Sequence, residues 1–200
     1  MRNSGKDGPS DFLEYLRKNV EYQEMMQGKE REWREWRRSL DADEKELVAK
    51  CHAAGHPIKS VWDFVNMEES YATAIPILAE HLEKKHQPRV REGIVRALST
   101  PEAWGVAPPG PLIRLFRDES DPESEMKWLL GAAIAHTATL AEAHEVCELM
   151  EDDENGRSRE FLPLALVHCP RLAALAILEP LVGHPVMGES AVQAINIVSR

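Results

Sequence analysis

Four segments of this chain share one pattern, and that repetition limits the fold more than any other feature. VREGIVRAL (Val90–Leu98), MKWLLGAAI (Met126–Ile134), SREFLPLAL (Ser158–Leu166) and MGESAVQAI (Met187–Ile195) each carry Ala followed by Leu or Ile at their end, at successive spacings of 36, 32 and 29 residues. Another amphipathic stretch precedes each one: Ile75–Leu82, Leu112–Phe116, Ala143–Leu149 and Leu172–Leu181. Pro, Gly, Asp and Asn fill the connections. A unit of two such helices cannot bury its apolar face alone, so units of this length find a core only by stacking on their neighbours. No strand signal competes. Period-two β-branched runs are absent, and Asn155-Gly156 follows an acidic run rather than joining two alternating segments. The spacing predicts an all-α chain, with about four helix pairs over residues 68–200.

The N-terminal third reads differently. Residues 1–10 are polar and Gly/Pro-containing, the composition of a disordered start. From Asp11, the residues Phe12, Leu13, Leu16 and Val20 recur on one helical face. Between residues 29 and 46, thirteen of 18 residues are charged with the signs interleaved, and Trp33, Trp36 and Leu40 form an apolar stripe. A further helix is expected after Asp41 or Asp43, running through Leu47, Val48 and Cys51 and stopping near Gly55 and Pro57. Ser60 then caps a short helix with Val61, Trp62, Phe64 and Val65. Residues 11–67 are therefore expected to be a helical cap, with the tryptophan stripe covering the open edge of the first repeat. REWREWRR (Arg31–Arg38) also has the composition of a nucleic-acid or membrane contact, but Glu32 and Glu35 interrupt its charge, and one buried helix face explains the tryptophans more simply.

The repeated region resembles the HEAT-repeat (armadillo-like) proteins. AIPIL (Ala74–Leu78) looks like a first helix kinked by proline, and Pro111 and Pro180 recur in comparable places. Val90-Arg91 opens a second helix as such repeats often do, and Gly93, Ala97, Gly131, Ala132 and Ala133 allow close approach of helices in adjacent layers. The third repeat departs from the pattern, with no first-helix proline and Pro163 inside its second helix. The resemblance implies a right-handed α-solenoid whose extended surface suits a protein or peptide rather than a small-molecule substrate.

Composition narrows the chemistry. A formal net charge of −10 sets the mean field against DNA, RNA and anionic lipid. Three scattered cysteines, Cys51, Cys147 and Cys169, without a CxxC pair, read as reduced thiols. MRNSGKDGPS has no apolar core of the signal-peptide kind, and no apolar run approaches membrane-spanning length, so a cytoplasmic protein is expected. No GxSxG elbow, GxGxxG turn or Walker loop is present. Cys51-His52-x-x-x-His56 is the one candidate metal pattern, but Gly55 and Pro57 place His56 beyond the helix end. The run Glu151–Glu154 reads as a solvated loop. No catalytic residue, metal or cofactor is therefore assigned.

Two readings of the repeat columns follow. Arg91, Lys127 and Arg159 hold one position in three successive repeats. They form either a basic strip facing an acidic partner or a ladder paired with the loop residues Asp118, Asp121, Asp152 and Asp153 of adjacent repeats; the ladder is preferred because charged pairs along repeat interfaces fix register. Next to them run Glu92, Trp128, Glu160 and Glu189, where Trp128 is either a binding anchor or packed under the proline-rich loop PEAWGVAPPGP with its Trp104. Arg91, Arg96, Trp104, Lys127, Trp128 and Arg159 are the candidate partner-binding residues. The expected function is a non-enzymatic protein-binding adaptor, including the neutralisation of a basic partner by an immunity-type protein. The alternative is a HEAT-like DNA-binding protein or DNA glycosylase using Arg91, Arg96, Lys127, Trp128 and Arg159.

Overall fold

The computed structural model describes Leu16 and residues 19–200, and every regular element among them is helical. The expected helix from Asp11 and the disordered start fall outside the described residues, apart from Leu16 and Val20. The chain divides after Ala42 into two compact units. The first is represented by α1 (Val20–Asp43), whose charges pair along its own surface, as in Arg34–Glu30 and Arg37–Asp41. Trp33 and Trp36, for which the stripe predicts burial, are exposed; Leu40 is buried.

The second unit, Asp43–Arg200, contains the repeats. It opens with α2 (Lys45–Ala53), which ends where Gly55 takes φ +96°, a conformation that favours glycine. Ser60 and Asp63 then form a reciprocal capping box on a 3-10 turn, Val61–Asn66. Buried Glu44 reaches the same turn, accepting hydrogen bonds from the Ser60 hydroxyl and the Val61 N–H at 3.0 Å each.

Helix pairs follow at the positions the repeats predict. They are α3 (Ile75–Leu82) with α4 (Pro88–Leu98), and α5 (Gly110–Asp118) with α6 (Glu125–Thr137). Next come α7 (Ala143–Glu151) with the 3-10 stretches Asp153–Arg159 and Leu162–His168, and then α8 (Arg171–Leu178) with α9 (Gly188–Val198). In the third pair Pro163 cannot continue an α-helix from Ser158, having no N–H and a ring that crowds the carbonyl one turn back, and it stands instead in the first turn of the separate 3-10 stretch Leu162–His168. The resemblance implies first helices kinked by proline, but Pro76 and Pro111 each lie in the first turn, where the missing N–H costs nothing.

Packing inside this unit is between neighbours. Each first helix lies against its own second helix, and the second helices contact one another in chain order, α4 on α6, α6 on Leu162–His168, and that stretch on α9. The Val61–Asn66 turn lies on α4. Two glycines permit these approaches. A Cβ on Gly93 would stand 2.5 Å from Val61 Cγ1, and one on Gly131 would run into the Ser158 carbonyl oxygen of the next pair. The core of the unit is aliphatic with few rings, led by Leu47, Leu78, Ile94, Phe116, Leu130 and Leu162.

Close packing at Gly131 makes a direct expectation. Gly131→Ala should lower unfolding stability by about 1–3 kcal/mol through overpacking, whereas Gly183→Ala, where nothing stands within 4 Å of the added carbon, should change it by less than about 0.5 kcal/mol. Urea denaturation of the two variants reads both values.

Candidate interaction surface

The three basic column residues are largely withdrawn from solvent. Lys127 and Arg159 are buried and Arg91 is half-buried. Each donates to a backbone carbonyl near the C-terminus of its own first helix: Arg91 Nη2 to Lys84 O, two residues past α3, at 3.4 Å, Lys127 Nζ to the C-cap Glu119 O at 2.9 Å, and Arg159 Nη1 to Met150 O in the last turn at 3.0 Å. The last carbonyls of a helix have no intrahelical donor and carry its negative dipole end, so a cation there satisfies both needs. The expected ladder to aspartates of adjacent repeats is not seen for these three residues; Arg159 Nη1 lies 2.7 Å from Asp153 Oδ1, within its own pair. Lys127 also sits over the Phe116 ring, 5.0 Å from its centroid. In the fourth pair the column residue is Gly188, and the Val182 carbonyl oxygen is 2.8 Å from where its Cβ would be. Val182 follows the 3-10 turn Glu179–Leu181 rather than α8 itself, so carbonyl-to-cation contacts are seen in three of the four pairs.

The remaining candidates are also engaged. Arg96 bridges Glu92 at 3.0 Å and Glu125 at 2.6 Å, joining the first pair to the second. Trp128 is half-buried, donates from Nε1 to Glu160 Oε2 at 2.8 Å, and meets Phe161 edge-on with centroids 5.0 Å apart. It packs on the next repeat, where neither the anchor reading nor the loop reading puts it. Trp104, in the proline-rich loop, stacks on His168 with centroids 4.0 Å apart, so the loop reaches across to the third pair.

Carboxylates outnumber cations in this unit. Residues 1–42 carry nine acids and nine bases, so the whole net charge of −10 falls in residues 43–200. Within these, residues 118–154 hold twelve acids and a single base, the buried Lys127. The loops after α5 and α7 bring this charge together. They flank a polar groove of about 450 Å3 whose walls include Glu119, Glu148, Asp152 and Glu154, together with Arg117 and Lys127. The backbone around it is tied down, with Asn155 Nδ2 donating to Leu149 O at 3.0 Å and the Ser158 hydroxyl donating to Pro122 O at 3.1 Å. Arg117 reaches Glu145 and Glu148 at 3.1 and 3.2 Å, and Arg157 reaches Glu123 at 3.5 Å. Asp118, Glu151 and Glu154 make no ion pair among the described residues. Sequence reasoning looked for a basic strip and set the acidic loops aside as solvated. A windowed charge count over residues 118–154 would have found them.

A second polar cluster joins α2 to α3. Glu46, Glu80 and His81 bring three ligand-type atoms within 4.8 Å of one another. Lys84 Nζ stands among them, 2.6 Å from Glu46 Oε1, 2.9 Å from Glu80 Oε1 and 3.4 Å from His81 Nε2, so its three protons meet three acceptors. Lys50 Nζ lies 2.7 Å from Glu80 and 3.0 Å from Glu46. These ammonium groups supply the positive charge that a metal ion would, and they hold both carboxyls down at about 2. His81 is fully buried, and burial, then the Lys84 charge, hold its imidazole down at about 4. Its Nδ1 faces His86 Nε2 at 3.1 Å, and His86 Nδ1 faces Asp43 Oδ1 at 3.3 Å. Asp43 Oδ2 accepts from the Gln87 N–H at 2.8 Å, tying the relay to the start of α4. The Cys51/His52/His56 pattern makes no ligand set: His52 Nε2 pairs with Ile58 O and His56 Nε2 with Thr73 Oγ1. Cys51 is buried, which pushes its thiol up to about 11; burial also raises Cys147 and Cys169, so none is an activated nucleophile.

No family model, curated protein or solved structure matches the chain. No described helix is long and apolar enough to cross a membrane.

The depressed histidine links folding to pH. The unfolded imidazole takes a proton near 6.5 while the folded one resists until about 4, so stability is full above about 6.5 and falls as pH drops between these values. The loss is about 3 kcal/mol for this shift. The carboxyls contribute their own loss only below 4.5. Urea titrations across this range should show the acid limb in the wild type and a flatter profile in His81→Gln.

Proposed function

We infer that the chain is a non-catalytic protein-binding module, built from HEAT-like helix pairs of an α-solenoid, whose acidic side takes a basic partner. The observation that carries this reading is the excess of twelve acids over one buried base in residues 118–154; four of the acids, Glu119, Glu148, Asp152 and Glu154, line one groove beside Arg117 and Lys127. Chain-order contacts between second helices support the repeat reading, because each pair buries its apolar face on the next. The cations that a DNA-binding face would need are spent elsewhere: Lys127 and Arg159 on buried carbonyls, and Arg96 on two carboxylates. A basic protein neutralised by this surface fits the immunity-type role, with cytoplasmic residence as part of the same reading. Such a surface steers its partner electrostatically, so it controls association rate and salt dependence more than contact area.

Affinity capture from host lysate, using the full chain and Glu148→Lys/Glu154→Lys, tests this. The account expects a basic protein bound by the wild type, with an association rate that falls steeply with salt and drops at least about tenfold in the variant. Capture of a partner indifferent to both salt and charge reversal would contradict it. So would a low-salt gel shift with duplex DNA that survives the same changes.

A further inference from the structure

Between the third and fourth helix pairs lies an open cleft of about 430 Å3 that shares no lining residue with the acidic groove. Its apolar walls come from Met150, Ile177, Leu181 and Met187, with Ala176 and Pro180 alongside. Arg159, whose side chain is only 7% exposed, also lines it. The Arg159 guanidinium spends Nε on Gly156 O and Nη1 on Met150 O and Asp153, while Nη2 makes no hydrogen bond among the described residues. Nη2 is not among the buried polar atoms left without a partner either, so solvent reaches it.

His184 stands in the same lining. Its Nδ1 accepts from the backbone N–H groups of Val186 and Met187, each at 3.1 Å. That leaves the neutral ring's proton on Nε2, a donor with no partner among the described residues. Two open donors thus share one cleft, and the carboxylates of Glu151 and Asp153 stand in the same lining. The charges select the ligand. A simple carboxylate would meet Arg159 but add a third negative charge to these two, and a simple cation would meet the acids but face the guanidinium. A zwitterion satisfies both, and the apolar walls then ask for a hydrocarbon body.

We propose that this cleft binds a free α-amino acid with an apolar side chain, its carboxylate on Arg159 Nη2 and His184 Nε2, its ammonium on Glu151 and Asp153, and its side chain against Ile177 and Leu181. The site is independent of the acidic groove, so either can fail without the other.

The test is isothermal titration and thermal shift of the full chain with L-leucine and L-methionine. The controls are leucinamide, which lacks the carboxylate, 4-methylpentanoate, which lacks the ammonium, and glycine, which lacks the side chain. At least one of the two amino acids should bind saturably at one site in the millimolar range or tighter and raise the melting temperature. All three controls should bind at least about tenfold more weakly. Arg159 also anchors Met150 and Gly156, so its removal disturbs the fold; the exposed wall positions Ile177→Trp and Ala176→Phe fill the cleft instead. Both should abolish binding while leaving the ligand-free melting temperature where it was. Absence of saturable binding by both amino acids overturns the proposal. Equal binding of leucinamide or 4-methylpentanoate also overturns it, as does binding retained in a folded cleft-filled variant.

Discussion

The C-terminal carbonyls of the first helices are the constraint around which the repeats are organised. A helix end buried in a stack leaves acceptors that water cannot reach. Here a carbonyl at or just past three of these ends is met by one residue of the segment that follows, placed seven to nine positions past the acceptor: Arg91, Lys127 and Arg159. The contact sets where the second helix begins and how far it lies along the first. Where the column changes to Gly188, the carbonyl approaches the backbone itself. The Arg91 contact is the longest of the three, and Arg91 Nε is a buried nitrogen without a hydrogen-bond partner among the described residues.

This use of cations has a consequence for the surface. Arginine and lysine within the second and third pairs are drawn inward or into local ion pairs, while the loop carboxylates remain outside. The chain can therefore hold bases at regular positions and still present an acidic exterior over residues 118–154. A buried lysine costs desolvation energy, which the carbonyl bond and the Phe116 ring offset together. Neither contribution is available to a lysine on a solvated face.

Helix positions were legible because apolar periodicity and turn residues are local signals. Ile75–Leu82 was read to the residue, and the Pro163 break in the third repeat was visible as an anomaly before its 3-10 winding was known. The column of bases was visible too, but not its acceptors. Side-chain identity tells a reader that a cation needs a partner, and aspartates are conspicuous in a sequence whereas backbone carbonyls are not. Trp128 was misplaced for a similar reason: its partners Glu160 and Phe161 lie one repeat away. The Asp43–His86–His81 relay was invisible because it joins three separate elements with no ligand spacing. The acidic groove was countable in the sequence but required the fold to bring two loops together.

The most direct measurement is the unfolding free energy of Lys127→Met against Lys127→Arg in urea. Methionine keeps the hydrocarbon volume over Phe116 and removes the donor to the Glu119 carbonyl, whereas arginine keeps the charge and the donor. The account predicts that Lys127→Met loses about 1–2 kcal/mol and that Lys127→Arg retains more of the wild-type stability than Lys127→Met does. A Lys127→Met variant as stable as the wild type would show that the carbonyl column does not hold the helix pairs together.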